Sequence, residues 1–166
     1  MKMAYRTTEQ GFTLIEVLIA TILVGLSIAA LVGANSSFTI ANGAGTDMST
    51  AEFLVEQIRE LTAMLPVIDP QTETAFDAKE ANWTSYDDVD DFDGFTSPSA
   101  GPISANKTVL TEFASFSQQV TVDKVSPSNL DLVVADTFDS AFVRVTVRVL
   151  QNGRQVVSAS WIRAQY

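Results

Sequence analysis

The stretch from Phe12 to Val32 constrains this chain more than any other feature: it is twenty-one residues long and Glu16 is its only charge. As a helix rising 1.5 Å per residue it extends roughly 32 Å, about the thickness of a bilayer's hydrocarbon core. Ahead of it lies a short polar leader with two bases, Lys2 and Arg6, that ends at Gly11. From Val32 to Thr50 there is no base at all. That asymmetry predicts a single pass with the N-terminus cytoplasmic and everything after the span facing outward.

An acid near the membrane interface needs a partner, because at a bilayer centre it costs on the order of 2.5 to 3.5 kcal/mol on insertion scales. Cutting the leader after Gly11 would expose the amine of Phe12, a cation four residues before Glu16. Two plainer readings compete. An ordinary secretory signal would be cut after Val32-Gly33-Ala34, but its apolar region normally runs roughly 7 to 15 residues without a charge. A simple single-span anchor accounts for neither Gly11 nor Glu16.

The run Gly11-Phe12-Thr13-Leu14-Ile15-Glu16 resembles the class III signal of type IV pilins and pseudopilins. The resemblance implies that a prepilin peptidase cuts after Gly11 and methylates the new amine of Phe12. It also implies that Glu16 pairs with a neighbouring subunit's amine during assembly. The implied partners are the peptidase, other pilin or pseudopilin subunits, the inner-membrane assembly machinery and the membrane itself. The implied location is the bacterial inner membrane, then a periplasmic or cell-surface filament.

Composition bounds the rest of the chain. Of 166 residues about 130 remain beyond the span, enough for one small outward domain with one core. Cys and His are both absent, which removes thiol nucleophiles, disulfides, His general bases and the usual zinc sites. Many pilins staple a C-terminal loop with a disulfide, and this chain departs from that pattern. Net charge is -10, and losing the leader with Lys2, Arg6 and Glu9 leaves -11. Such a polyanion repels nucleic acid, and its ten bases are scattered rather than gathered into a stripe. Acidic heads also repel one another unless salt or a divalent cation screens them.

The chain therefore divides into a leader (1–11), a transmembrane and assembly helix (12–34) and an outward domain (35–166). Gly33, Gly43 and Gly45 each lower helix propensity by about 1 kcal/mol relative to Ala, which predicts loosening there. Ser49-Thr50-Ala51-Glu52 has the capping-box pattern, so a helix is expected to resume over about 47–65. Leu54, Ile58, Leu61 and Leu65 recur at helical spacing as a core face, and Pro66 ends the run.

Residues 66–107 are turn-rich and acidic and read as a variable connecting region. Antiparallel strands come next, over about 113–163. Phe116, Gln118, Val120 and Val122 share one strand face, as do Val143, Val145, Val147 and Val149. Leu130 to Ala135 adds a short strand, giving a small meander. Asn152-Gly153 predicts a type I′ hairpin into Gln155 to Ile162, where Trp161 reads as core. The fold class expected is α+β and pilin-like: a long N-terminal helix, first transmembrane and then amphipathic, packed on a small antiparallel sheet.

Between Tyr86 and Phe95, five carboxylates crowd into the seven residues from Asp87 to Asp93. Hard oxygen ligands at this density suit Ca²⁺, with Asp88, Asp90, Asp91 and Asp93 as ligands and Gly94 for the sharp turn. The order of an EF-hand loop is broken by Val89, and no Glu occupies its twelfth position. The competing expectation is a solvated turn whose carboxylates cap local amides. With the N-terminal signal, this segment also resembles one found in minor pilins similar to those of the mannose-sensitive haemagglutinin pilus. Trp83, Tyr86, Phe92 and Phe95 flank it, either to stack on a ligand or to anchor the loop.

Three function classes result. The first is a structural subunit, either a minor pilin or a type II secretion pseudopilin. The second is a binding module or adhesin displayed on a filament or anchored in the membrane. The third, an enzyme, is not expected, since no matched acid and base define a pocket, and Gly25-Leu26-Ser27-Ile28-Ala29, a distant likeness of a nucleophile elbow, lies inside the span.

Overall fold

A computed structural model describes residues 11–72, 76 and 78–165. Lys2 and Arg6 lie outside the described residues. The chain forms two compact units, Met1–Ala44 and Gly45–Tyr166.

The first unit contains most of the apolar part of α1 (Leu14–Met64), which is long and apolar enough to cross a membrane. Its described side chains are all exposed, Phe12, Leu14, Leu26, Leu31 and Phe38 among them. The few hydroxyls in this apolar run are satisfied within the helix. Thr21 Oγ1 donates to the Leu18 carbonyl at 2.9 Å and Ser27 Oγ to the Leu23 carbonyl at 2.8 Å. Neither hydroxyl proton needs water, as a lipid-facing helix requires.

Helix α1 runs through Gly33, Gly43 and Gly45 without a break, contrary to the predicted loosening. Extending an established helix gains one hydrogen bond per residue fixed, so isolated glycines weaken it without ending it. Ser49 and Glu52 are consequently mid-helix and cap nothing, because the amides there already have carbonyl partners one turn earlier. Pro66 stops the helix, which ends at Met64.

The second unit is an α+β pilin-like arrangement in which the apolar face of α1 packs on a curled antiparallel sheet of four strands. The strands are β1 (Phe116–Ser126), β2 (Asn129–Val133), β3 (Phe142–Gln151) and β4 (Arg154–Ala164). Their order is β2-β1-β3-β4 rather than the expected meander. The short β2 folds back on the end of β1, so the chain passes β1 to reach its other side as β3. Asn152 and Gly153 take positive φ values of 49° and 80°, the backbone of the expected type I′ hairpin between β3 and β4.

Alternation decides which side chains are inside. Phe116, Gln118, Val120 and Val122 of β1 are buried with Val143, Val145, Val147 and Val149 of β3. They meet Ala51, Leu54, Val55, Ile58 and Leu61 of α1, spaced so that one helical stripe covers the sheet. Leu65 and Trp161 are partly buried at the margin, and the Arg59 guanidinium lies 4.9 Å from the centre of the Trp161 ring.

The described residues between Pro66 and Lys107 form a wall of the core rather than a plain connection. Val67, Val89, Phe92, Phe95 and Ile103 are all buried in it. It also extends the sheet, since Phe95 to Ser97 lie along β1: Ser97 N–H donates to the Gln118 carbonyl and Val120 N–H to the Phe95 carbonyl, both at 2.9 Å. Part of the edge of β1 that β2 leaves free is thereby paired.

Candidate functional site

Two places hold the residues to which the sequence assigns function. At the first, α1 begins at Leu14, so Thr13 is the residue before the helix and Glu16 the third within it. Glu16 Oε2 accepts the Thr13 N–H at 2.8 Å and the Thr13 hydroxyl at 2.8 Å, while the Glu16 N–H donates to Thr13 Oγ1 at 3.3 Å. This is a reciprocal capping box. Sequence pattern alone directs attention to Ser49 and misses this box, although Thr13-Leu14-Ile15-Glu16 carries the same signature directly before the apolar run. Gly11 and Phe12 are exposed just ahead of the helix, outside any regular element. In the uncut chain Phe12 has no free amine, and the Glu16 carboxylate bonds to Thr13.

At the second place the acidic segment turns inward. Asp88, Asp90 and Asp91 are only 1%, 8% and 3% exposed. The expectation of a solvated turn is therefore wrong about solvation and right about capping. Asp88 Oδ1 accepts the Asp91 N–H at 3.0 Å and Asp91 Oδ2 the Asp87 N–H at 3.1 Å. A one-turn 3-10 helix over Asp90–Phe92, followed by Gly94 at φ 67°, supplies this tight geometry. Burial stems from the flanking aromatics. Phe92 sits in the core 5.1 Å from the Tyr86 ring and 5.4 Å from that of Phe95, and Trp83 packs 6.3 Å from Phe95. These rings anchor the segment and carry the carboxylates in with them.

The four Asp residues singled out from the sequence do not converge. Asp93 Oδ1 accepts the Val122 N–H at 3.0 Å on the edge of β1, and Asp90 Oδ2 accepts the Phe76 N–H at 2.5 Å. What converges is Asp69 with Asp87 and Asp88, and Glu80 with Asp87 and Asp91; within each trio the ligand oxygens lie within 4.8 Å of one another. Asp69 and Glu80 escape sequence reasoning because they are 18 and 7 residues upstream of Asp87 and join the cluster only through the fold.

Electrostatics there are unfavourable to charge. Desolvation and the neighbouring carboxylates of Asp90 and Asp69 push Asp88 up to about 7, and burial likewise raises Asp90. Glu80 is raised first by the carboxyl-to-carboxyl hydrogen bond that its protonated form makes with Asp91. Nearby lysines are turned to backbone: Lys79 Nζ donates to the Asp93 carbonyl, and Lys107 Nζ to those of Thr84 and Tyr86. The ion pairs Arg59–Glu56 and Arg144–Asp123 lie elsewhere.

Against known proteins, residues 6–32 match the family model described as the prokaryotic N-terminal methylation motif. The match covers Gly11, Phe12, the capping box and the apolar run, and stops before the second compact unit. No curated protein and no solved structure matches the chain. Motif, apolar helix and α+β head together support a pilin-like or pseudopilin subunit, a structural class whose signal implies processing by prepilin peptidase and assembly with other such subunits.

Proposed function

We propose that this chain is a minor pilin of a type IV pilus related to the mannose-sensitive haemagglutinin type. It is inserted with its N-terminus cytoplasmic, cut after Gly11, methylated on Phe12 and added to a filament through α1. The observation that carries this reading is the methylation motif over residues 6–32, seated at the start of α1, where the apolar side chains from Leu14 to Ile40 find no cover within the described residues. A row of exposed Leu, Ile and Val is costly in water, at roughly 25 cal/mol per Å², and is relieved first by lipid and then by neighbouring helices. Glu16 supplies the one directional contact in that apolar bundle, pairing with the amine of an adjacent subunit. The inward packing of Phe92 and Phe95 favours a structural over an adhesive role for the acidic segment.

The test is intact-mass and N-terminal analysis of protein from cells with and without prepilin peptidase, together with a Glu16→Ala variant. A mature chain starting at N-methyl Phe12 only when the peptidase is present, and recovered in sheared pili unless Glu16 is replaced, is the expected result. A chain starting at Asn35, or left uncut beside active peptidase, overturns the reading. Recovery with a secretion apparatus in place of pili identifies a pseudopilin.

A further inference from the structure

We propose that copies of this chain join their sheets edge to edge, β2 of one copy lying antiparallel against β4 of the next. The contact belongs to the second unit and does not depend on how the N-terminal half of α1 is used.

β4 is an outer strand, and its eleven residues contain no Pro or Lys and no charge from Gln155 to Ile162. Apart from the bulge at Val156, nothing on it discourages another strand from pairing with its free edge. Beneath that edge, on the side facing α1, lies a groove of about 530 Å³ whose lining includes Glu52, Phe53, Val55, Val157 and Ala159. Four strands thus leave this flank of α1 uncovered, and a fifth would cover it.

β2, the opposite outer strand, has the side chains to fill the place. Both its faces are exposed, and Leu130, Leu132 and Val133, with Phe138 just beyond, leave an apolar patch in water. Val133 stands opposite Val125, so by alternation Asp131 shares the face of Asp123 and Arg144, whereas Leu130 and Leu132 look to the face that α1 covers. Set against β4 with Leu130 opposite Ala159 and Leu132 opposite Val157, both leucines enter the groove. Asp131 then lies opposite Ser158, and beyond that small side chain stands Arg148, the partner of Ser158 across β3 and β4. Arg148 is exposed and pairs with no carboxylate among the described residues, and the Asp131 carboxylate pairs with no cation among them.

Topology and charge select this pairing over others. Strand directions alternate along β2-β1-β3-β4, so β2 and β4 run oppositely. A copy displaced sideways and along the strands, without inversion, therefore meets its neighbour antiparallel, with the packed half of α1 on the same side of the joined sheet. Two β2 edges would bring Asp131 near its own copy, and two β4 edges would leave the groove unfilled. Being heterologous, the contact can repeat from copy to copy.

The five residues of β2 make a small contact, so the test confines the full chain to lipid vesicles, where its copies crowd. With no native Cys, substituted thiols report one contact at a time. Asn129→Cys on one chain and Ser160→Cys on another lie opposite each other in this register, about 4.5 to 5.5 Å apart between Cα atoms and within reach of a disulfide. Under mild oxidation the mixture is expected to give cross-linked dimers, and a chain carrying both substitutions a ladder, while neither variant alone cross-links. Asp131→Arg should lower the yield more than about tenfold, because it sets like charges together. Adding Arg148→Asp should restore the yield, which a fault in folding would not allow. Equal yields in the single variants, or a yield indifferent to Asp131→Arg, overturn the proposal. So does a mixture that gives no cross-link, which would leave the edge of β4 for a strand from a different protein.

Discussion

Gln118 Nε2 donates to the carbonyl of Leu54 at 2.8 Å, joining β1 to the packed half of α1. The same amide donates to the Ile103 carbonyl at 3.1 Å and accepts the Ile103 N–H at 2.7 Å. One fully buried side chain thus fastens helix, loop and sheet together, and all of its hydrogen-bonding groups are used except a spare lone pair.

Replacing Gln118 with Leu keeps the volume and strands the Ile103 amide and carbonyl. The expected cost is about 2 to 3 kcal/mol, read as a lower urea midpoint with unchanged slope. Asn at this position, one methylene shorter, should not restore the bonds to both Ile103 and Leu54.

Thr13→Ala removes the side-chain half of the N-terminal capping box. About 1 kcal/mol of helix initiation is expected to be lost, seen as faster amide exchange confined to the first turn of α1. Thr13→Ser should restore protection.

Glycines divide by location. A Cβ at Gly43 meets nothing within 4 Å, so Gly43→Ala should stabilise α1 by roughly 1 kcal/mol and slow amide exchange around it. At Gly101, with φ 146°, a Cβ would lie 2.5 Å from the Leu110 carbonyl oxygen. Gly101→Ala should therefore lower stability by about 1 to 3 kcal/mol, measured in the same urea titration.

With divalent ions chelated, stability should fall as pH rises from about 6 to 8. Asp88 binds its proton more tightly folded than unfolded, because burial and the charges of Asp90 and Asp69 push it up to about 7. Its stabilising contribution is complete below the unfolded carboxyl range and disappears as pH climbs through about 7. Thermal melts in chelator at the two pH values check the sign, and Asp88→Asn should flatten the dependence.

Much of this architecture can be read along the chain where a single period governs burial. The stripe Leu54, Ile58, Leu61 and the alternating valines of β3 announce their faces because one side of each element is apolar. Strand order cannot be read that way, since β3 could pair with the free edge of either β1 or β2 and the side-chain period is the same in both cases. The acidic segment misleads for a different reason. Asp is usually solvated, and only Phe92 and Phe95, by entering the core, turn Asp88 and Asp91 inward. Carboxylates supplied by Asp69 and Glu80 have no local signature at all, because their proximity to Asp87 is a property of the folded loop.

Arg163 of β4 donates to the carbonyls of Ala63 and Leu65 at 3.1 and 2.9 Å, closing the C-terminal end of α1 from the last strand of the sheet. A ribosome makes the apolar stripe of α1 first and this clasp about 100 residues later, an interval of roughly 5 to 20 s at ordinary rates of synthesis. Throughout that time Leu54, Ile58 and Leu61 have no finished sheet to lie on. The nascent chain is thus sticky from the moment this stripe emerges until the sheet closes, and a chain truncated before Arg154 would never be rid of that hazard.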